Sequence, residues 1–591
     1  MKKIILTLIV ILWSIPNAHA GLLDASRIRV ANKTPIPLYL ALYYARNNTA
    51  TRATTPVYLP ADNAISLDLP SSKFLHSRRL CIAPDPAQLA DTLALIHTES
   101  VPLGLFEATD FTIIIDRCNQ TPHILETDEW KKLPPVPEFT PHHLAYKSAH
   151  KEEQFLAARR ERVQAAQEAL IQKTLPRPLH IGICTSGGGF RAMYATAGLM
   201  CGLEQAHLLP LITHCVGLSG STWFLFPWLL SKQTATAYTE KLVTLLVGGL
   251  IHTLTEQYRE FARLSLEKRT YSLPISGIDL YGISLAYTLL KPLYAQFLTL
   301  TMDDVRKAAD PLMHPLVFGS VVTRPHPTDS YEWITISPFA VHFLSDHLTL
   351  PPALLGAHFY NHQQLTLPPA PSLCYYLAIF GSSFSVSVRD ALERTPATLQ
   401  TILHKLLPDN WQSTRWSNTK ITAARIANPR KGIENSRHKT IHTISLVDGG
   451  YLNNLPLEPL LHSSDDPFDL LIVLDSKQER PSRIRGMLQG MTQAQLHTPR
   501  FPAINPDHIS TQTFSVHGDP RTGPVVVYCT LEGCEDFDPV FNPATDPQYA
   551  TLKFMYTEEK ARKLVSLVSH VITANAPLIT DIIHALAERC C

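Results

Sequence analysis

The segment Gly217-Leu218-Ser219-Gly220-Ser221-Thr222-Trp223 constrains the fold most. Residues 212–216 ahead of it read as a strand, and residues 223–230 behind it read as an apolar helix. A single serine thus stands at the apex of a strand–turn–helix elbow. Such an elbow lifts a hydroxyl above the sheet edge, beside the positive end of the following helix. Gly217 lets the backbone bend sharply, and Gly220 leaves the approach to the oxygen open. A chance glycine–serine turn has the same letters, so the reading depends on what accompanies it.

Two segments accompany it. Ser186-Gly187-Gly188-Gly189-Phe190-Arg191 lies between a short apolar strand, 179–184, and an amphipathic helix, 190–205. A glycine-rich turn at a helix start presents unpaired N–H groups, reinforced by the helix dipole. It can cradle a phosphate or hold an oxyanion. A nucleotide-binding P-loop needs Lys-Ser/Thr after the glycines, and here Phe190-Arg191-Ala192 follows; the spacing G-x-G-x-x-G is also absent. The oxyanion role remains beside a purely structural turn, and such donors often lower a barrier by about 3–4 kcal/mol. The second segment is Val447-Asp448-Gly449-Gly450, followed by Asn453-Asn454-Leu455-Pro456. Residues 441–447 alternate like a strand, which places Asp448 at a carboxyl end, where α/β active sites gather. Taken alone, Asp-Gly-Gly is usually only a turn.

Taken together, residues 186–193 (Ser-Gly-Gly-Gly-Phe-Arg-Ala-Met), residues 217–223 and the Asp448 turn closely resemble the catalytic domain of the cytosolic phospholipase A2 and phospholipase B/lysophospholipase group, relatives of patatin. Weaker echoes are Trp-Ile-Thr-Ile-Ser-Pro-Phe at 333–339, Phe-Gly-Ser-Ser-Phe at 380–384, and residues 501–506. The resemblance covers roughly residues 179–575. It implies a patatin-like α/β fold and a Ser–Asp dyad in place of a Ser–His–Asp triad. In that dyad Ser219 is the nucleophile, and Asp448 accepts its proton and later activates water. The amides of Gly188 and Gly189 hold the oxyanion, and Arg191 lies at the substrate phosphate. On that basis Arg191→Ala should weaken phospholipids more than neutral esters. A carboxylate touching a hydroxyl in a dry site can be raised towards a useful base, and an acyl-enzyme splits ester hydrolysis into two easier steps.

Two departures stand out. The family's second phosphate-side arginine has no counterpart, because Ser463-Ser464-Asp465-Asp466 occupies that stretch. The amino-terminal aspartates Asp62, Asp68, Asp85 and Asp91 show no calcium-loop spacing, so calcium-driven docking is not carried over. Among 26 histidines, His462, His517, His570 and His584 lie where a conventional triad histidine would follow, yet none sits in a recognisable motif. His142-His143 lacks metal partners, and neither a metal nor a cofactor is expected.

The 591 residues suggest two or three folding units. Residues 1–20 read as a signal peptide, with Lys2 and Lys3 before an apolar run and Ala18-His19-Ala20 at the cleavage site. Export to the periplasm or beyond is therefore expected. Residues 21–128 are β-rich, with short strands near 28–30, 38–44, 64–69 and 111–115, and suggest a sandwich. Residues 129–178 form a proline-rich and helical connector, its helix at 150–172, and residues 179–591 the hydrolase domain. Helical, apolar stretches such as 242–250 and 283–300 follow the elbow, placed either to act as a lid or to serve as core helices. A net charge of +1 and the absence of basic–aromatic stripes argue against nucleic acid. Ten cysteines permit pairs such as Cys81–Cys118 and Cys529–Cys534, while Cys184, Cys201, Cys215 and Cys374 sit at apolar positions.

The expected protein is a serine lipolytic acyl hydrolase acting on phospholipids or lysophospholipids, peripheral at a membrane surface. The alternatives are an inactive lipid- or partner-binding protein of the same fold, a Ser-His-Asp esterase, or an acyl transferase using the same machinery.

Overall fold

Strand pairing in the carboxy-terminal two thirds builds one sheet of 11 strands. The computed structural model describes residues 146–245, 277–382 and 423–590 apart from short gaps, Leu264, and nine strands between Arg27 and Glu126. The chain divides into two units. One comprises Met1–Pro141, Tyr258–Gly277 and Val386–Ile421; the other comprises His142–Gln257, Ile278–Ser385 and Thr422–Cys591. In the first unit the strands form a four-stranded and a five-stranded sheet, and all four expected strand positions are occupied.

In the second unit the strands are β1 (Ile181–Thr185), β2 (His214–Leu218), β3 (Leu316–Thr323), β4 (Glu332–Ile336), β5 (Val341–Phe343), β6 (Leu348–Leu350), β7 (Ala424–Ala427), β8 (Thr443–Asp448), β9 (Leu470–Asp475), β10 (Phe514–His517) and β11 (Val525–Thr530). Their order is β6-β5-β4-β3-β2-β1-β9-β11-β10, with β8 paired to β3 and β7 to β8. The run β3-β2-β1-β9-β11 is parallel, and every other pairing is antiparallel. The parallel order expected from sequence therefore describes the centre of a mixed sheet.

The central strands are apolar on both faces because helices cover both. Ile181, Ile183, Leu470, Ile472, Val525 and Val527 face one core, while Cys184, Leu471, Val473, Val526 and Tyr528 face the other. The first core is closed by α2 (Phe190–Gln205), α11 (Glu558–Ala574) and α12 (Ala576–Cys590), the second by α8 (Leu457–Leu461), α9 (Arg480–His497) and α10 (Pro506–Thr511). The helix expected at 150–172 is α1 (Tyr146–Ile171). It is not a free connector. Buried Arg159 donates to the carbonyls of Ile212 and Leu209, and Gln167 takes both the N–H and the carbonyl of Leu179, so α1 is built into the catalytic unit.

The elbow is followed by α3 (Thr222–Ser231), α4 (Ala235–Leu245), α5 (Gly277–Leu289) and α6 (Met302–Ala308), with α7 (Leu373–Phe380) further on. Part of the stretch expected at 242–250 lies outside the described residues. Ile278, Leu285, Ala286 and Leu289 of α5 are buried in the first core. Cys184, Cys201, Cys215 and Cys374 are buried thiols outside any disulfide, as their apolar settings suggested. Cys529 and Cys534 are also free, so the expected bridge between them is not formed; Cys118 lies outside the described residues. Among the described residues no single helix is long and apolar enough to cross a membrane, although α11 and α12 pass that test jointly as a bent pair.

Candidate active site

Sheet register assembles the site. β2 runs parallel to β3 with Leu218 opposite Ser320, and β8 runs antiparallel to the same edge with Asp448 opposite Val321. The two strands therefore meet carboxyl end to carboxyl end, one delivering Ser219 and the other Asp448. Side-chain packing confirms the junction. A Cβ built on Gly449 would lie 2.9 Å from Leu218 Cδ1, so the Asp448 turn rests on the residue before the serine.

Ser219 occupies the left-handed region with φ 54°, the strained apex that an elbow requires. It opens a short 3-10 turn, Ser219–Ser221, that runs directly into α3. Thr222 Oγ1 donates to its carbonyl at 2.6 Å. Ser219 is 5% exposed and Asp448 is fully buried. The Ser221 hydroxyl donates to Ser186 O at 2.6 Å and accepts from Thr196 Oγ1, tying the elbow to the glycine loop.

The glycine loop touches the elbow at two points. A Cβ on Gly187 would lie 2.9 Å from Ser219 Cβ, and one on Gly220 would lie 1.9 Å from Gly189 O. Gly189 itself has φ 61° and is the N-cap of α2, with no side chain capping that end. The first-turn amides of α2 thus open beside the serine. Asn454, quoted above only as part of a motif, clasps this loop. Its carbonyl accepts from Gly187 N–H at 3.2 Å, and its Nδ2 donates to Gly187 O at 3.2 Å.

Asp448 is held by its own turn and by a residue that the sequence did not reveal. Its Oδ1 accepts the Gly450 N–H at 2.8 Å, and its N–H donates to Ser382 Oγ at 2.8 Å. Ser382 donates onward to Ile379 O at the end of α7. The same helix receives the Trp223 indole N–H at Leu377 O, 2.9 Å away. One short helix therefore gauges both the elbow and the acid. The only sequence signal for Ser382 was the Phe-Gly-Ser-Ser-Phe echo. Tyr281 of α5 packs edge-on to Trp223. Burial pushes its phenol well above the usual range, and the Asp448 charge adds to this.

Arg191, expected at the substrate phosphate, lies buried among protein acceptors. It is 2% exposed, and its guanidinium donates to Ser476 O, Tyr549 O and Thr551 Oγ1. The Ser463–Asp466 stretch is also remote from the site. Ser463, Ser464 and Asp466 line a cavity of about 840 Å³ with Leu316, Asp469 and Pro524, at the amino ends of the parallel strands. Three of the four downstream histidines have other partners: His462 bonds Glu458 O, His570 packs on Phe537, and His517 lies between Asn505 N and Ser515 Oγ. Burial, with help from His508, draws the His517 pKa down to about 4. Among the described residues no cluster of three or more His, Cys, Asp or Glu side chains could hold a metal ion.

Comparison with known proteins agrees with this architecture. Human cytosolic phospholipase A2 delta is 27% identical over 267 residues, 43% of this chain and 32% of that protein. Human cytosolic phospholipase A2 zeta is 27% identical over 260 residues, 41% of this chain and 30% of that protein. The chain thus spans about a third of the length of these relatives. The solved structure of human GIVD cytosolic phospholipase A2 superposes with a TM-score of 0.62 at 16% identity, covering 94% of this chain and 81% of that one. The same human enzyme in complex with methyl gamma-linolenyl fluorophosphonate gives 0.56 at 18% identity, covering 94% and 80%. These likenesses establish a patatin-like α/β catalytic fold. They also overturn the expectation of export, because the matching relatives are named cytosolic phospholipases; the leader-like residues 1–20 lie outside the described ones. Residues 181–487, more than half of the sequence, match the model of the lysophospholipase catalytic domain, and the chain belongs to that phospholipase A2/lysophospholipase family of hydrolases.

Proposed function

We propose that this chain hydrolyses fatty-acyl esters of phospholipids or lysophospholipids through an acyl-enzyme on Ser219. The observation that carries the reading is the head-to-head meeting of β2 and β8 on one edge of β3, which delivers a strained serine and a buried carboxylate to one point. Asp448 takes the hydroxyl proton as Ser219 Oγ attacks the ester carbonyl. The amides of Gly188 and Gly189 receive the oxyanion, in a setting dry enough to make such donors effective. As the tetrahedral intermediate collapses, the proton passes from Asp448 to the leaving alcohol and the acyl group stays on the serine. Water then gives its proton to Asp448 as it attacks the acyl carbonyl, and when the second tetrahedral intermediate collapses Asp448 returns that proton to Ser219 Oγ and the fatty acid leaves.

In this reading α3 and α5 border the acyl chain, and the β-rich amino-terminal region, about 21–128, is a separate domain preceding the catalytic one. The substrate is drawn from a membrane or micelle surface. Support for the serine as electrophile target comes from the human relative solved with a long-chain fluorophosphonate, a reagent class suited to serine hydrolases. The test is incubation with defined phospholipids and lysophospholipids, with products assigned by mass spectrometry. Free fatty acid released by the wild type and absent with Ser219→Ala supports the reading; release that survives Ser219→Ala, or depends on one downstream histidine, defeats it.

A further inference from the structure

Arg191 enters the first turn of α2 two residues after the glycine loop, yet its side chain turns back beneath that loop. A Cβ built on Gly188 would lie 2.9 Å from Arg191 Nη2. Nε donates to Ser476 O at 2.6 Å, Nη1 to Tyr549 O at 2.7 Å and Nη2 to Thr551 Oγ1 at 3.0 Å. Thr551 then supports the loop directly, since a Cβ on Gly189 would lie 2.8 Å from Thr551 O. One guanidinium thereby joins the segment after β9 to the 547–551 segment, and both brace the two glycines proposed to hold the oxyanion. Ser186 reinforces the joint by accepting the Ser476 N–H at 2.7 Å. Burial draws the Arg191 pKa down to about 10, partly offset by Tyr556 and Asp475, so the group stays cationic at neutral pH. Its three donor nitrogens are each committed to a protein acceptor, the arrangement of a brace. A side chain waiting for a ligand would keep its fork open.

We infer that Arg191 is a positioning residue of the oxyanion loop, acting from behind Gly188 and Gly189 through Thr551, and is not a ligand of the substrate phosphate. This rests on the reading of Ser219 as the nucleophile. It also makes the 547–551 segment, which lies beyond the stretch matching the family model, part of the catalytic apparatus. Misplacing a preorganised group by about 1 Å can cost on the order of 10²-fold in rate, so the effect should appear in turnover and not in binding.

The experiment compares wild type, Arg191→Lys, Thr551→Val and Thr551→Ser on palmitoyl lysophosphatidylcholine and on monopalmitoylglycerol, which has no phosphate. Labelling by an alkyl fluorophosphonate is followed in parallel. Expected is a fall in kcat of the same factor on both esters, about 10²-fold for Arg191→Lys, with KM nearly unchanged and labelling slowed alike. Thr551→Val should reproduce part of this loss and Thr551→Ser, which keeps the accepting hydroxyl, should restore it. A loss confined to the lysophospholipid with a raised KM overturns the inference. So does a Thr551→Val enzyme that matches wild type, which decides the matter even if the Arg191 variant does not fold. A wild type inert to both esters and to the fluorophosphonate overturns the Ser219 reading itself, whereas wild-type turnover with a phosphate-selective loss overturns only this inference.

Discussion

Leu218 and Asp448 take adjacent places on one edge of β3, the first opposite Ser320 and the second opposite Val321. That adjacency explains how residues more than two hundred positions apart form one site. β2 ends where β8 ends, so the shared edge strand positions Ser219 and Asp448, the proposed nucleophile and base, together. Small errors at this junction should therefore cost activity before they cost the fold.

Gly220→Ala tests the closest approach in the site. Its new methyl would lie 1.9 Å from Gly189 O, so the oxyanion loop or the elbow must move. A displacement of that kind is expected to lower turnover by at least about 10²-fold. Circular dichroism should stay close to that of wild type, while ester hydrolysis and fluorophosphonate labelling fall together. Wild-type kinetics in this variant would show that the loop and elbow are not in contact.

Ser382→Ala removes the acceptor of the Asp448 N–H without touching its carboxylate. A buried donor left unpaired costs about 1–3 kcal/mol, so the urea midpoint should drop. Turnover should fall with little change in KM, because the acid loses its anchor while the substrate surfaces stay intact. Stability and kcat both unchanged would exclude Ser382 as the support of the acid.

Acid should unfold the catalytic unit by way of two buried carboxylates. Burial works to raise the pKa of Glu332, but hydrogen bonds from Arg430, His438 and Arg437 outweigh it and hold the group near 2, below its ordinary 4.5. Glu532 behaves alike: burial opposes, while Arg480, Arg483 and Asn542 prevail, again near 2. A depressed carboxylate stabilises the fold above its ordinary pKa, and that stability is lost as pH falls through the folded value. Urea midpoints should therefore decline from about pH 4.5 towards pH 2. Glu532→Gln, which strands buried Arg483, should lower neutral-pH stability by about 3–5 kcal/mol and shrink the acid-dependent part. A midpoint that stays flat down to pH 2.5 or so would contradict these shifts.

Much of this fold could be read locally, because local signals report local structure. The helix expected at 190–205 spans Phe190–Gln205, and the strand leading into the elbow runs two residues further than expected, to Leu218. Asp448 does end its strand. Pairing was not legible: alternation gives no sign that β8 runs antiparallel to β3, or that α7 links Trp223 to Asp448 through Leu377 and Ser382. Arg191 shows the limit most clearly. Its motif position was evident, but the acceptors that occupy it, Tyr549 and Thr551, lie some 360 residues away in a stretch with no motif of its own. The pairing of Cys529 with Cys534 failed for a related reason: spacing allowed it, yet Cys529 belongs to a buried central strand whose side chain faces the core.

The most direct measurement is covalent labelling of the full chain with an alkyl fluorophosphonate, with the adduct located by peptide mass spectrometry. The account predicts one adduct, on Ser219, absent in Ser219→Ala and slowed by about 10²-fold or more in Asp448→Asn, which cannot accept the proton. An adduct on another serine, none at all, or an Asp448→Asn enzyme labelled at the wild-type rate would contradict it.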